Sequence, residues 1–298
     1  NIDKKYCLLA TIITCFGLKL TEILRFTNAT HAFAWFPWIL YSITLSLDSS
    51  KTIKSSIIIF ISTLMILTAG FPYYILYGFI LFSFYFFFLN IPKVKNQIGH
   101  SLANNSLSKS FFTCLLPALL AFLIVLPWFL GIMDVMEITR DRNLKDINFS
   151  YLLGSSFIDQ IGSWILPPIS FAESNYYFGA IISMIIIYYF YSSFSGKINN
   201  LTEKYFLIFF LVFFIFNFQI AAPKSSLIFD SLWSNFEIFQ NFRAFCRMNI
   251  LLVPLMSVLI CYSIKNLDDN PVNKKDLLIA SLVCFIIISL QFYFIEIS

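Results

Sequence analysis

Long apolar runs separated by short polar joints organise this chain. The first run is YCLLATIITCFGLKLTEIL (6–24), with Lys19 and Glu22 three apart near its far end. A polar bend, 25–31, leads to AFAWFPWILYSITLS (32–46), which has two tryptophans at its entry and Pro37 near its first turn. The apolar stretch from 55 to 90 would be too long as one helix for a hydrocarbon core of about 30 Å. The sequence Ala69-Gly70-Phe71-Pro72 predicts a tight turn that divides it. Further runs at 110–131, 177–195, 205–222, 249–264 and 277–295 complete the pattern. The runs are continuous and lack the dyad alternation of a membrane β-barrel. The pattern predicts an all-α, polytopic transmembrane bundle of about nine helices, a single domain over 1–298, with two longer loops at 133–176 and 223–248.

Composition agrees with that class. The chain is 59% hydrophobic and 12% charged, where soluble domains carry about 25% charged residues. A net charge of +4 is modest, and no nucleic-acid motif is present. The six cysteines mostly sit inside apolar runs without metal-ligand spacing, which predicts small core residues and no disulfide framework. The chain starts at Asn1, and its first segment has no secretory cleavage pattern, so an N-terminal part is expected upstream.

Charge supplies an orientation. One face collects Lys4, Lys5, Lys51, Lys54, Lys93, Lys95, Lys109, Lys197, Lys204, Lys265, Lys274 and Lys275, in accord with the positive-inside rule. The opposite, outer face receives the bend at 25–31, the turn at 70–72 and both long loops. All five arginines, Arg25, Arg140, Arg142, Arg243 and Arg247, fall on that face. The expected location is therefore a multi-pass cell-membrane protein with an extracytoplasmic active face.

The strongest candidate chemistry is Phe242-Arg243-Ala244-Phe245-Cys246-Arg247-Met248, just before the run at 249. Arginines four apart share one face of an α-helix. Guanidinium forks match phosphate oxygens, and helix N-termini attract anions. Arg243 and Arg247 are thus a candidate phosphate or diphosphate site, although membrane-surface arginines also serve as interfacial anchors. Glu173, Asn175 and Tyr176 offer an acceptor, an amide and a phenol for a hydroxyl-rich ligand, and His31 lies on the same predicted side. The alternative for the first three is an ordinary helix entry with interfacial tyrosines. Asp159 and Arg140 are further candidates, each read first as a plain solvated charge. No Walker loop, HExxH, GxSxG or dinucleotide fingerprint occurs, and no metal site is indicated.

Five stretches in order resemble the GT-C polytopic membrane glycosyltransferases, most closely the bacterial YfhO-like group. They are His31-Ala32-Phe33-Ala34-Trp35-Phe36-Pro37-Trp38-Ile39-Leu40-Tyr41, Ala69-Gly70-Phe71-Pro72-Tyr73-Tyr74-Ile75-Leu76-Tyr77, and Leu126-Pro127; then Trp164-Ile165-Leu166-Pro167-Pro168 with Tyr176-Tyr177-Phe178-Gly179; and Phe239-Gln240-Asn241-Phe242-Arg243 with Arg247. Their order suits the middle and C-terminal part of such proteins. The resemblance implies transfer of a sugar from a polyprenyl-phosphate donor to an envelope glycan, teichoic acid or lipid acceptor at the outer face. It implies inversion at the anomeric carbon and no identified cofactor, with a divalent metal left open. The family's catalytic acid lies in the first outer loop, which here would fall upstream of Asn1. Phe71 stands where relatives often carry His in the Gly-x-Pro turn.

The rival reading is a polytopic transporter or lipid flippase without covalent chemistry. Transporters show internal repeats and helices broken at the midplane. No repeat is evident here, and the polar residues gather at one predicted face. A ligand-free membrane scaffold would leave the sorting of arginines to chance.

Overall fold

Helices account for the regular structure, and no strand occurs among the described residues. The computed structural model describes residues 2–17, 27–69, 72–92, 94, 106–138, 156–166, 177–198, 200–236, 240, 245–270 and 274–297. Four helical segments are long and apolar enough to cross a membrane: Ser49–Thr68, Leu107–Gly131, Leu201–Ala221 and Phe245–Asp269. Shorter apolar helices lie at Tyr74–Asn90, Ala180–Phe194 and Leu278–Leu290. This set is compatible with a membrane protein. Of the nine expected crossings, four reach spanning length among the described residues. The chain divides into two compact units, Ile23–Leu144 and Asn1–Glu22 with Lys145–Ser298.

In the second of these, helix α1 is Lys4–Cys15, started by Asp3, whose carboxylate accepts the Lys5 amide. Within Ile23–Leu144 come α2 (Thr27–Ala34), α3 (Phe36–Ser46), α4 (Thr52–Thr68), α5 (Pro72–Asn90) and α6 (Leu107–Ile138). The expected bend at 25–31 is already helical from Thr27. Ala29, Ala32 and Phe33 recur at helical spacing and are buried, so their packing overrides the local polarity. Pro37 has no N–H to donate and its ring crowds the carbonyl four residues back; the helix accordingly breaks at Trp35 and restarts with Pro37 in its first turn. The predicted division of 55–90 is found, with α4 ending at Thr68 and α5 beginning at Pro72, a position where proline sacrifices no helical bond.

Serines knit this unit together. Helix α4 packs against both α3 and α6. The Ser42 hydroxyl donates to the Ser55 carbonyl at 2.8 Å, and the Ser55 hydroxyl donates to the Ser42 carbonyl at 2.9 Å. Ser110 donates to the Ser46 carbonyl at 3.2 Å, and Ser56 to the Thr113 carbonyl at 3.2 Å. Ser42, Ser46, Ser55 and Ser110 are fully buried. Small hydroxyl side chains let helices approach closely while giving their polar atoms a partner. On the other side of α3, Phe36 meets Phe33, Tyr74 and Phe82 edge-on or tilted. Gly78 makes room for that ring, since a β-carbon there would lie 3.3 Å from it.

The other unit continues with α7 (Phe157–Ile165), α8 (Ala180–Phe194), α9 (Leu201–Ala221), α10 (Phe229–Asn235), α11 (Leu252–Asp269) and α12 (Lys274–Ile297). A 3-10 helix, Phe245–Leu251, runs directly into α11. Helix α11 is central: α1, α8, α9 and this 3-10 segment pack against it. Along α9 the rings of Phe209 and Phe213, Phe210 and Phe214, and Phe214 and Phe218 stack one turn apart. Phe157 and Trp164 set α7 against that ladder, with centroids 4.4 Å from Phe218 and 5.7 Å from Phe214.

Ion pairs bind the lysine-bearing ends of these helices. Lys265 of α11 reaches Glu203 of α9 at 2.7 Å and Asp269 at 3.6 Å. Asn200 caps α9 by accepting the Thr202 amide, and its amide donates to Glu203 at 3.0 Å. Lys197 pairs with Asp276 of α12 at 2.7 Å, and this carboxylate beside it raises the Lys197 ammonium above its ordinary value. Lys5 reaches Asp268 at 3.1 Å, and the Tyr6 hydroxyl bonds the same carboxylate. Several lysines expected to mark one membrane face are therefore also structural ties.

Glu203 is almost wholly buried, and a buried charge is tolerated only with a partner. Lys265→Met should destabilise the protein by about 3–5 kcal/mol, whereas Glu203→Gln with Lys265→Met should recover most of that loss. Unfolding in detergent micelles measures both; equal losses in the single and double variants would contradict the pairing.

A second prediction concerns Asp48, which caps the 3-10 turn Ser49–Lys51. The Ser50 hydroxyl, then Lys51 and the Ser50 amide, hold its carboxyl down to about 2. Because this folded value is depressed, the contribution is present above the ordinary carboxyl value of about 3.9. It is lost as pH falls through about 2. The difference in thermal midpoint between the wild type and Asp48→Asn should therefore shrink across that interval.

Candidate functional site

The segment that carries the candidate phosphate site is built on a tight turn. From Phe245 to Leu251 the backbone is 3-10, and α-helical geometry begins only at Leu252. The α-helical face expected for this stretch is thus replaced around Arg247 by a narrower helix, with three residues per turn. Phe245, Cys246, Met248, Asn249, Ile250 and Leu251 are buried, while Arg247 is half-buried. Tight winding packs the apolar residues on several sides at once and leaves Arg247 as the partly exposed position. Arg247 is the one arginine among the described residues; Arg243 lies outside them.

Two buried amides reinforce this segment. The Asn217 amide on α9 donates to the Asn249 side-chain oxygen at 2.6 Å, and neither residue is exposed. The side-chain oxygen of Asn217 has no hydrogen-bond partner. An unsatisfied buried acceptor costs about 1–3 kcal/mol, so this pair is a constraint on the site rather than filler.

Below the segment, a capping network shapes 219–235. The Gln219 carbonyl accepts the Ser226 hydroxyl at 2.5 Å, and the Gln219 side chain accepts the Leu227 amide at 3.0 Å. Ser226 in turn accepts the Phe229 amide at 2.9 Å and starts α10. Phe229 and Trp233 of α10 pack on Phe245, with ring centroids 5.4 and 6.5 Å from it. Gln240 donates to the Trp233 carbonyl at 2.9 Å. The stretch 223–248, expected as a long loop, therefore contains helical turns seated on the 3-10 segment.

The other long connection also carries a helix. Ser156 and Asp159 form a reciprocal cap for α7: the Asp159 amide donates to the Ser156 hydroxyl oxygen at 3.3 Å, and the Ser156 amide donates to Asp159 at 3.2 Å. Asp159, read from sequence as a solvated charge, is a capping residue with one buried oxygen lacking a partner. At the end of α7, the Trp164 carbonyl accepts the Ser183 hydroxyl at 2.7 Å and the Phe178 amide at 3.4 Å. Gly179 opens α8 with φ of +93°, a conformation that suits glycine. Between α7, α8, α9 and α12 lies an apolar cavity of about 370 Å³, lined by Phe157, Trp164, Ser183, Phe210, Phe214 and Ile287 among others.

His31 is exposed on α2 in the unit Ile23–Leu144, whereas Arg247 belongs to the other unit. Glu173, Asn175 and Tyr176 lie outside the described residues. The sequence reading missed the Asn217–Asn249 pair, although an asparagine inside FFIFNFQI was a visible signal. No cluster of three or more His, Cys, Asp or Glu side chains suited to a metal occurs among the described residues. The chain matches no family model, no curated protein and no solved structure.

Proposed function

We propose that this chain is a membrane glycosyltransferase resembling the YfhO-like GT-C group, with about nine membrane crossings and an extracytoplasmic site. The observation that carries this reading is Arg247, half-buried in a 3-10 segment at the head of an apolar helix of spanning length. A cation at that position meets the phosphate of a lipid whose hydrocarbon tail lies among apolar helices. Arg243, four residues earlier in the sequence, supplies the second guanidinium.

In the proposed reaction an acceptor hydroxyl attacks the anomeric carbon of a polyprenyl-phosphate sugar. The carbon–oxygen bond to phosphate breaks, the phosphate departs with the electron pair, and the hydroxyl proton passes to a general base. Arg243 and Arg247 stabilise charge that develops on the departing phosphate, a large catalytic contribution in such sites. Glu173, Asn175, Tyr176 and His31 are the proposed partners for sugar and acceptor hydroxyls. The apolar cavity beside α7 supports the reading by offering a surface matched to hydrocarbon.

Each charge-assisted hydrogen bond contributes about 1.5–3 kcal/mol. Arg243→Ala and Arg247→Ala should therefore each reduce transfer about 10- to 100-fold in the full-length protein. Membrane vesicles given a labelled polyprenyl-phosphate sugar provide the assay. Transfer unchanged in the double variant would remove the phosphate-site role. Movement of intact labelled lipid across the bilayer, without a glycosylated product, would favour the flippase reading instead.

A further inference from the structure

We propose that Cys7 and Cys261 form a redox-modification site, in which a low-molecular-weight disulfide converts two facing thiols into a bond between α1 and α11. Their sulfur atoms lie 3.7 Å apart although the residues are 254 positions apart in sequence. A disulfide requires about 2.05 Å between sulfurs, so side-chain rotation and a small helix adjustment close the gap. Both cysteines are free thiols.

The approach is set by the packing of the two helices. Lys5 and Tyr6 both bond Asp268, fixing the start of α1 against the end of α11. Helical side chains lean toward the N-terminus, so these two long groups reach back to Asp268. Cys7, with its short side chain, faces Cys261, two turns earlier in α11. The geometry also assigns different parts to the two sulfurs: Cys7 is exposed and Cys261 is buried.

The chemistry follows that difference in access. The Cys7 thiolate attacks one sulfur of the reagent disulfide, and one reagent thiolate leaves. The Cys261 thiolate then attacks the Cys7 sulfur of the mixed disulfide, and the second reagent thiolate leaves. Overall, the two cysteines lose two electrons and two protons, and one reagent disulfide becomes two thiols. The product covalently joins two helices that are otherwise held by packing and by the contacts to Asp268. This inference does not depend on the proposed sugar transfer.

The test uses the full chain in membranes treated with dipyridyl disulfide, followed by alkylation of remaining thiols and peptide mass spectrometry. The wild type should yield peptides cross-linked through Cys7 and Cys261. Cys261→Ser should stop at a pyridyl mixed disulfide on Cys7, and Cys7→Ser should leave Cys261 as an alkylated thiol. The wild type decides the matter even if either variant folds poorly. A stable mixed disulfide on wild-type Cys7 with Cys261 alkylated would overturn the proposal, as would recovery of both Cys7 and Cys261 as alkylated thiols.

Discussion

Glu203 is the constraint on which the larger unit turns. Its carboxylate is buried at the first turn of α9, and Lys265 of α11 neutralises it from 2.7 Å. Asn200 holds the same oxygen from the preceding turn. A buried carboxylate restricts how α9 and α11 can slide or rotate, because most displacements strand a charge in a poorly solvating environment. The phenylalanine ladder on α9 and the 3-10 entry to α11 then inherit their relative positions from this end. At the other end the Asn217–Asn249 bond provides a second polar fixture, between α9 and the 3-10 segment that leads into α11. Arg247 lies two residues before Asn249 in the same 3-10 segment, flanked by buried Cys246 and Met248.

The two units use polar groups in different ways. Ile23–Leu144 relies on short hydroxyls that bond neighbouring carbonyls, which allows α3, α4 and α6 to lie close together. The other unit relies on charged pairs at helix ends and on aromatic packing between them. Phe157, Trp164 and the rings of α9 give bulk without dense closure, and the apolar cavity of about 370 Å³ lies in that region. The resulting surface suits hydrocarbon better than any polar solute.

Much of the helical organisation was legible because proline and glycine act locally. Pro37 and Pro72 each stand in the first turn of a helix, where the ring is tolerated, and helix boundaries fall at Trp35, Thr68 and Pro72. The helix Thr27–Ala34 was hidden because polar Thr27, Asn28, Thr30 and His31 mask the buried stripe of Ala29, Ala32 and Phe33. Glu203 was not legible as a buried ion, since it follows Asn199-Asn200-Leu201-Thr202 and reads as part of a polar joint. Its partner is 62 residues away, beyond any local pattern. For the candidate site, sequence singled out Arg247, but its 3-10 setting arises from packing against α9 and α10. Arg243, Glu173, Asn175 and Tyr176 fall outside the described residues and add nothing to that comparison.

The reciprocal bonds between Ser42 and Ser55 also bear on how the chain assembles. They join residues 13 positions apart across one tight connection, so closing them requires little loop entropy. Each hydroxyl bonds the other residue's carbonyl, and displacement by one residue, about 1.5 Å along a helix, disrupts both bonds together. The alignment of the helical hairpin is therefore set by contacts between its own two arms.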